Sequence, residues 1–380
     1  MGIDIGTTTI RVVVAEFKKG EEYPDILAVS ENETEGLRNG YIINQQDVLK
    51  SLRKCIKEVE KNSEIKIKKA FVSIGSSTIK GEISNGFAIV SKADNEVTHL
   101  DIEKAIEDAQ GNLNLNNKKV INVSPIYYKL DGQDILGRIE GSIGNKLEVK
   151  AIFTTVSSQH FEDLINTIGE LDIEVLDIIP GIIASSNFCL PKKQKIIGSI
   201  LVDIGSETTK IAVFENENPI AIHTFNLGGA DITNDIALGL KISIDEAEKI
   251  KLGNIPEEFS KKKIDEIINA RLSDIFELID TYLKKIKRNE LLPGGIVLIG
   301  GTSNIPNILD LSKNFLKLPA SFGQTQMFGN AKTKLKNNSW YNVLGLLFSS
   351  KEKSLEENGI TLFFRDLKNT IKSNLKQFMP

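Results

Sequence analysis

The sequence is poor in the residues that build metal centres and disulfide frameworks: its 380 residues include two cysteines, three histidines and one tryptophan. Cys55 and Cys189 have no Cys or His neighbours at ligand spacing, and His99, His160 and His223 are scattered, so neither a zinc nor a haem site is expected. Cys55 falls on the apolar side of a helical run with Val48, Leu52 and Val59, which predicts a buried free thiol in a reducing cytoplasm rather than a disulfide. A basic excess is also lacking. The net charge of −4 argues against a general nucleic-acid binder, which would be basic over its whole domain. No apolar stretch approaches the ~18 residues of a membrane span, and no basic segment followed by an apolar one opens the chain. The protein is therefore expected to be made and kept in the cytoplasm. With 41% hydrophobic and 26% charged residues, it has material for two or more packed subdomains.

What the chain does have is a repeat. Asp4-Ile5-Gly6-Thr7-Thr8-Thr9 recurs as Asp203-Ile204-Gly205-Ser206-Glu207-Thr208-Thr209, each copy between apolar residues of β type. In each, a strand delivers a carboxylate, a glycine allows a tight turn, and small hydroxyl residues leave backbone N–H groups free to approach a polyphosphate. One copy alone would suit an ordinary β-hairpin. Two copies heading two similar halves predict a phosphate tail gripped from both sides, with Asp4 and Asp203 holding a hydrated Mg²⁺. Met1-Gly2-Ile3 is a short lead into Asp4, so the first strand is expected to be clipped beside Ile200-Leu201-Val202, by a late start or by trimming.

The periodicities predict strands over residues 7–15 and 26–30, a helix over 46–60 and a returning strand over 71–74, a βα-type half. From about residue 79 the texture changes to alternating segments around one helical run at 101–110, which reads as a small inserted α+β module. A helix over 161–171 leads to Val175–Ile179 and a Pro180-Gly181 turn. The second half opens near Ile196 with strands over 200–203 and 210–214 and a helix over 231–240. Residues 243–288 are helical in pattern, a short helix over 245–251 and a long one over 262–287. Ile296-Val297-Leu298-Ile299 then runs into Gly300-Gly301, where backbone could lie flat against an adenosine; a plain αβ turn fits the local sequence equally well.

The order of hairpin, inserted module, second hairpin, Gly228-Gly229 before a helix, Ala247-Glu248-Lys249-Ile250-Lys251 and Gly300-Gly301 resembles the actin/Hsp70/sugar-kinase superfamily. More narrowly, Gly228-Gly229-Ala230-Asp231-Ile232-Thr233-Asn234-Asp235-Ile236-Ala237 and Pro125-Ile126-Tyr127-Tyr128-Lys129-Leu130-Asp131-Gly132, followed by Gly144 and Leu147-Glu148-Val149, resemble the FtsA family of bacterial cell-division proteins over essentially the whole chain. The resemblance implies an α/β, two-lobed, actin-like ATPase fold. Residues 1–80 with 159–187 would form the first lobe and 188–236 with 290–348 the second, with an FtsA-type α+β (SHS2-like) insertion at 81–158 and a helical subdomain at 237–289. It also implies ATP-linked polymerisation on the membrane at the division site and anchoring of filaments of the tubulin-like protein FtsZ, the partner contact falling on the helical subdomain. By the same resemblance Asp4, Gly6, Thr7 and Thr8 would form the first phosphate loop and Asp203, Gly205, Thr208 and Thr209 the second. Glu248 and Lys251 would flank the adenosine of ATP, Gly228 and Gly229 border the phosphate cleft, and Gly300 and Gly301 support base and ribose.

Three departures from the family pattern stand out. Ser206-Glu207 replaces a glycine-rich stretch, and Thr9 stands where the first hairpin often has lysine, while Lys210 occupies a usually acidic position. Lys210 is then either a phosphate cation supplied by the other loop or a solvated strand residue. No side chain stands out to orient an attacking water, since Ile178 and Ile179 precede Pro180, so the catalytic residue is unassigned and hydrolysis is expected to be slow or absent.

The C-terminus carries a separate signal. Residues 361–379 read as a helix with Phe363, Phe364, Leu367, Ile371, Leu375 and Phe378 along one stripe and Arg365, Lys368, Lys372 and Lys376 mostly off it, behind a polar tether at 349–360. Such a helix suits a membrane interface; packing on its own domain or on a partner is the other option. Each basic group adds about 1 kcal/mol near an anionic leaflet. Partial burial of the stripe adds roughly 5–10 kcal/mol gross, before ordering costs. A monomer would thus attach reversibly and a filament firmly. Two other classes compete. One is a PilM-like platform in type IV pilus assembly, which the Gly301–Asn307 run would suit; the other is a small-molecule kinase, for which no catalytic base stands out.

Overall fold

The computed structural model describes residues 1–18, 23–135, 137–324, 335 and 337–356, with side chains through 349. The chain divides into two compact units, the first comprising Met1–Gly81, Asn116–Asn122 and Thr154–Leu347. It contains two five-stranded sheets of one design. In the first, Gly2–Ile5 pairs antiparallel with Thr9–Glu16 and parallel with Lys69–Ile74; Asp25–Glu33 and Glu174–Pro180 complete the edges. In the second, Ser199–Ile204 pairs antiparallel with Thr209–Glu215 and parallel with Ile296–Ile299; Asn218–Phe225 and Ala320–Phe322 lie outermost. Each repeat motif is thus the central hairpin of its own sheet, and each Asp stands near the end of its central strand.

The sheets are held by helices whose apolar faces the periodicity foretold. Gln45–Ser63 buries Val48, Leu49, Leu52, Cys55, Ile56 and Val59 and packs on Thr9–Glu16 and Asp25–Glu33. Against the second sheet, Gly229–Leu240 and Lys261–Lys285 bury Ile232, Ile236, Ile264, Leu272, Phe276 and Ile279 onto Val202, Ile211 and Leu298. Full burial of one such side chain is worth about 1.5–3 kcal/mol, so this core fixes the position of the second hairpin. Both thiols are free and buried.

The second unit, which includes Glu82–Leu115 and Val123–Phe153, centres on a sheet ordered Lys80–Ile89, Lys146–Ser157, Lys118–Leu130, Gln133–Ile135. The helix His99–Gly111 crosses one face so closely that a Cβ on Gly86 would lie 2.2 Å from the Ala109 nitrogen and 2.3 Å from the Ala105 oxygen. The helix opens on a capping box in which the buried Asp101 carboxylate accepts from Thr98 N and Ser91 N.

Three expectations change. Thr7 and Thr8 belong to the turn rather than the strand, which begins at Thr9 because the Gly6 N–H must close on the Thr9 carbonyl. Pro180 ends its strand and Gly181 opens the helix Gly181–Cys189 in place of a simple turn. The start of the expected tether is helical, since Tyr341–Glu356 is one helix; the Lys, Glu and Leu that made residues 349–356 look like solvated coil are also strong helix formers. The stripe from Phe363 to Phe378 lies outside the described residues. Among the described residues, no helix is long and apolar enough to cross a membrane.

His160 is 3% exposed beside Tyr41, and its Nδ1 has no hydrogen-bond partner. Burial holds its pKa down, from 6.5 to about 4. The folded state therefore binds the proton less readily than the unfolded chain, and stability present above pH 6.5 is lost as pH falls toward 4. Urea unfolding should show about 2 kcal/mol of stability lost between about pH 7 and pH 5 from this group. His160→Phe should flatten that part of the profile; an unchanged slope would assign the acid sensitivity elsewhere.

Candidate functional site

The two hairpin turns are built alike. Gly6 N donates to Thr9 O at 3.2 Å and Gly205 N to Thr208 O at 2.9 Å. A Cβ at either glycine would come within 2.8 and 3.0 Å, respectively, of those same oxygens, so the turns have no room for a side chain. The turns face a cleft of about 400 Å³. Asp4, Gly6, Thr7, Thr8 and Gly75 line it from the first half; Asp203, Gly205, Thr208, Lys210, Glu248, Lys251, Gly300 and Gly301 line it from the second.

The carboxylates lie at the floor. Asp203 is 2% exposed and accepts from Lys210 Nζ at 3.2 Å and Asn342 Nδ2 at 3.1 Å. Asn342 is steadied in turn by Ser185 Oγ, which donates to its Oδ1. Asp4 is 7% exposed and accepts from Ser73 Oγ. Burial pushes the Asp4 carboxyl above its usual range; Ser73, Arg11 and Lys210 oppose that rise and Asp203 adds to it. Gly300, at φ +90°, makes the close approach possible, because a Cβ there would lie 2.4 Å from Asp203 Oδ1 and 2.5 Å from Ile204 O.

At the wall, Lys251 Nζ lies 2.7 Å from Glu248 Oε2 and donates to Thr233 Oγ1 at 2.8 Å and Gly229 O at 3.1 Å. Capping by Ser243 starts this helix, Ile244–Lys251, and burial of Ala247 and Ile250 turns Glu248 and Lys251 toward the cleft.

Three of the expected residues stand behind the lining. Thr209 is fully buried and donates to Leu227 O at 2.8 Å. Gly228 and Gly229 brace the second turn from outside: Gly229 N donates to Gly205 O at 2.9 Å and Ala230 N to Ser206 O at 2.7 Å. A Cβ on Gly229 would sit 2.3 Å from Thr302 Oγ1, which itself donates to Gly205 O at 2.8 Å. Glu207, in the same turn, accepts a hydrogen bond from the backbone N–H of Asn39, in the tight turn between Leu37–Arg38 and Tyr41–Ile42 of the first half.

Sequence reasoning missed Arg11, Leu252, Asn304, Ser339 and Asn342, all of which line the cleft. Arg11 had a signal: it follows Asp4 at the spacing by which Lys210 follows Asp203. Asn342 had none, since it reaches Asp203 only through the folding of a remote helix.

Because its pKa is raised, the folded state pays to keep Asp4 ionised at neutral pH. Asp4→Asn should therefore raise the melting temperature of the ligand-free protein near pH 7, and the gain should shrink as pH falls into the carboxylate range. A lower melting temperature would mean that Asp4 is already compensated.

The geometry stands beside clear relatives. The family model "Cell division protein FtsA" matches residues 200–345, and "SHS2 domain inserted in FTSA" matches residues 76–155. The chain is 29% identical over 339 residues to the cell division protein FtsA of Bacillus subtilis (strain 168), covering 83% of this chain and 76% of the relative. It is 26% identical over 375 residues to FtsA of Pseudomonas aeruginosa, covering 93% and 89%. Among solved structures it is similar to the PilM-PilN type IV pilus biogenesis complex, with TM-score 0.68 and 14% identity over 92% of this chain and 97% of that one. It is also similar to MreB5 of Spiroplasma citri bound to ADP, with TM-score 0.55 and 13% identity over 94% and 98%. These structural likenesses speak for an actin-like fold. With two FtsA-specific matches on separate parts of that fold and relatives aligned along most of its length, the chain belongs to the FtsA family of cell division proteins.

Proposed function

We propose that this chain is an ATP-binding, actin-like cell-division protein that assembles into filaments on the inner face of the cytoplasmic membrane and anchors FtsZ filaments there at the division site. The observation that carries the nucleotide part is the convergence of two equivalent hairpins, each bringing a buried carboxylate, on one cleft. The backbone N–H groups of Thr7, Thr8 and Thr208 would take the phosphates, with Gly6 and Gly205, whose own N–H groups close the turns, leaving room for the approach, and Glu248, Lys251, Gly300 and Gly301 would flank the adenosine. Thr209, Gly228 and Gly229 contribute by holding the second turn in shape.

Asp4 and Asp203 would hold Mg²⁺ through its waters. The fit is electrostatic: the Asp4 carboxyl is held above its usual range by burial and by Asp203, and a cation between the two relieves both. Mg²⁺ would supply charge neutralisation between the polyphosphate and these carboxylates. A similar structure, MreB5 of Spiroplasma citri, is bound to ADP, which supports a nucleotide in a fold of this kind.

Membrane attachment would come from Phe363, Phe364, Leu367, Ile371, Leu375 and Phe378 lying in the interface, with Arg365, Lys368, Lys372 and Lys376 on anionic headgroups. A pilus-platform role draws on likeness of fold alone.

The test is sedimentation with anionic liposomes of the full chain and of a chain ending at Glu356, which leaves the helix Tyr341–Glu356 whole. Only the full chain should pellet, more so with ATP and Mg²⁺, and it should carry added FtsZ filaments down with it. Equal behaviour of the two chains would remove the membrane role; pelleting without FtsZ would remove the anchor role. Asp4→Asn and Asp203→Asn should each lose Mg²⁺-dependent ATP binding by tenfold or more, on the order of 1.4 kcal/mol; binding that stays Mg²⁺-dependent in both variants would refute the metal assignment.

A further inference from the structure

The two halves meet through a side chain that a glycine-rich turn would lack. Glu207 stands in the second hairpin turn between Ser206 and Thr208, both of which line the cleft, and is half-buried. Its carboxylate accepts from the peptide N–H of Asn39, 168 residues away in the first half. The donor is available for a local reason. Asn39 and Gly40, at φ +49° and +78°, form the two-residue turn between Leu37–Arg38 and Tyr41–Ile42. The flanking pair Arg38 and Tyr41 closes that hairpin, so the Asn39 N–H must find its acceptor elsewhere.

Both ends of this bond are stiff. On the first half, Asn39 O accepts from Ser77 N at 3.2 Å, and a Cβ on Gly40 would lie 2.1 Å from Gly75 O. The turn is thus seated on the end of the strand Lys69–Ile74, where Ile74 and Gly75 line the cleft. On the second half, the turn that carries Glu207 is closed by Gly205 N on Thr208 O and braced by Gly229 N, Ala230 N and Thr302 Oγ1. Beside it the halves come close again, since a Cβ on Gly75 would lie 2.9 Å from Lys210 Cε. A hydrogen bond between two stiff bodies is made in one relative placement and lost in the others. With an ionised acceptor it is also stronger than a bond between neutral groups. It therefore selects the placement in which the halves are closed on the cleft.

We propose that Glu207 is a latch: its bond to the Asn39 N–H holds the two halves closed with or without ligand, and a nucleoside polyphosphate enters or leaves only when that bond opens. The proposal rests on the nucleotide reading of the cleft and adds the regulation of its traffic. A latch made in both the free and the loaded state leaves affinity where it is and slows arrival and departure alike. A residue that touches the ligand does otherwise, because its loss weakens the complex and quickens departure alone.

The test begins without ligand, with hydrogen–deuterium exchange of the full-length chain read at the Asn39 amide. That amide should be protected in wild type and lose its protection in Glu207→Gly, while the amides of the helix Gln45–Ser63 keep theirs as the control for folding. Exchange at the free-chain rate in wild type overturns the latch before any nucleotide is added. Stopped-flow mixing with a ribose-labelled fluorescent ADP and Mg²⁺ then gives the rates. In Glu207→Gly, arrival and departure should both quicken about tenfold, with their ratio unchanged. Glu207→Gln, which keeps a neutral acceptor, should fall between the two, and it replaces Glu207→Gly if that variant is unstable. Asn39→Gly keeps the donor, suits the left-handed backbone and should match wild type. Quickened departure alone, or rates equal to wild type, overturns the latch and leaves the nucleotide reading standing. Absence of labelled ADP binding by wild type overturns the nucleotide reading, and the control of its traffic with it.

Discussion

Two carboxylates of like charge buried at the floor of one cleft set the terms for the rest of the structure. Asp4 and Asp203 arrive from different sheets, and each is nearly closed to solvent. An ionised carboxylate out of water costs several kcal/mol even after relaxation, and here Asp203 adds to the cost at Asp4. The surroundings compensate only in part. Asp203 receives a lysine and an amide, and Asp4 receives a single hydroxyl from the neighbouring parallel strand. The deficit at Asp4 is a standing preference for positive charge, built from main-chain topology and burial. On the proposed reading, stability and ligand affinity draw on one interaction, because the positive charge that Asp4 favours is what Mg²⁺ would supply.

Burying Asp203 requires backbone to close in around it and the turn that follows. Gly300 grants Asp203 its place by having no Cβ, and Gly205 is met on its carbonyl by both Gly229 N and Thr302 Oγ1. The second turn is therefore clamped by the start of one helix and the short turn of 3₁₀ helix at Gly301–Asn304. Behind the clamp stands the apolar core that Gly229–Leu240 and Lys261–Lys285 form with the second sheet. A small change in how the helix Gly229–Leu240 seats would reach the turn through two main-chain hydrogen bonds, Gly229 N to Gly205 O and Ala230 N to Ser206 O, without passing through a flexible side chain.

The parts of this arrangement that were legible in the sequence are those whose chemistry is contiguous. Asp, Gly and a run of hydroxyl residues after an apolar strand describe a turn in a single stretch of chain, and the repetition of that stretch identified both halves. The helices over 45–63 and 261–285 were visible for a similar reason, since their apolar faces recur at 3.6-residue spacing. Partners that arrive from elsewhere were not visible. Ser73 and Asn342 each complete a carboxylate from a separate element, and nothing beside either residue marks it. Gly228 and Gly229 were legible as important but not in role, because a glycine needed for close packing and one needed for ligand approach look the same in one dimension. The segment 349–356 was misread because its charged and polar residues suit a helix as well as a coil.

The bond between Glu207 and Asn39 joins the two halves through unequal partners. One is a carboxylate that any substitution at 207 other than a carboxylate or close mimic deletes. The other is a peptide N–H, which every amino acid except proline supplies. Heritable variation at the two positions is thus weighted differently. Position 39 is free to drift in side chain, confined only by its left-handed backbone at φ 49°, which suits Asn, Asp and Gly. This hydrogen bond is therefore carried genetically by a single codon, the one that puts a glutamate where a glycine-rich turn would leave none.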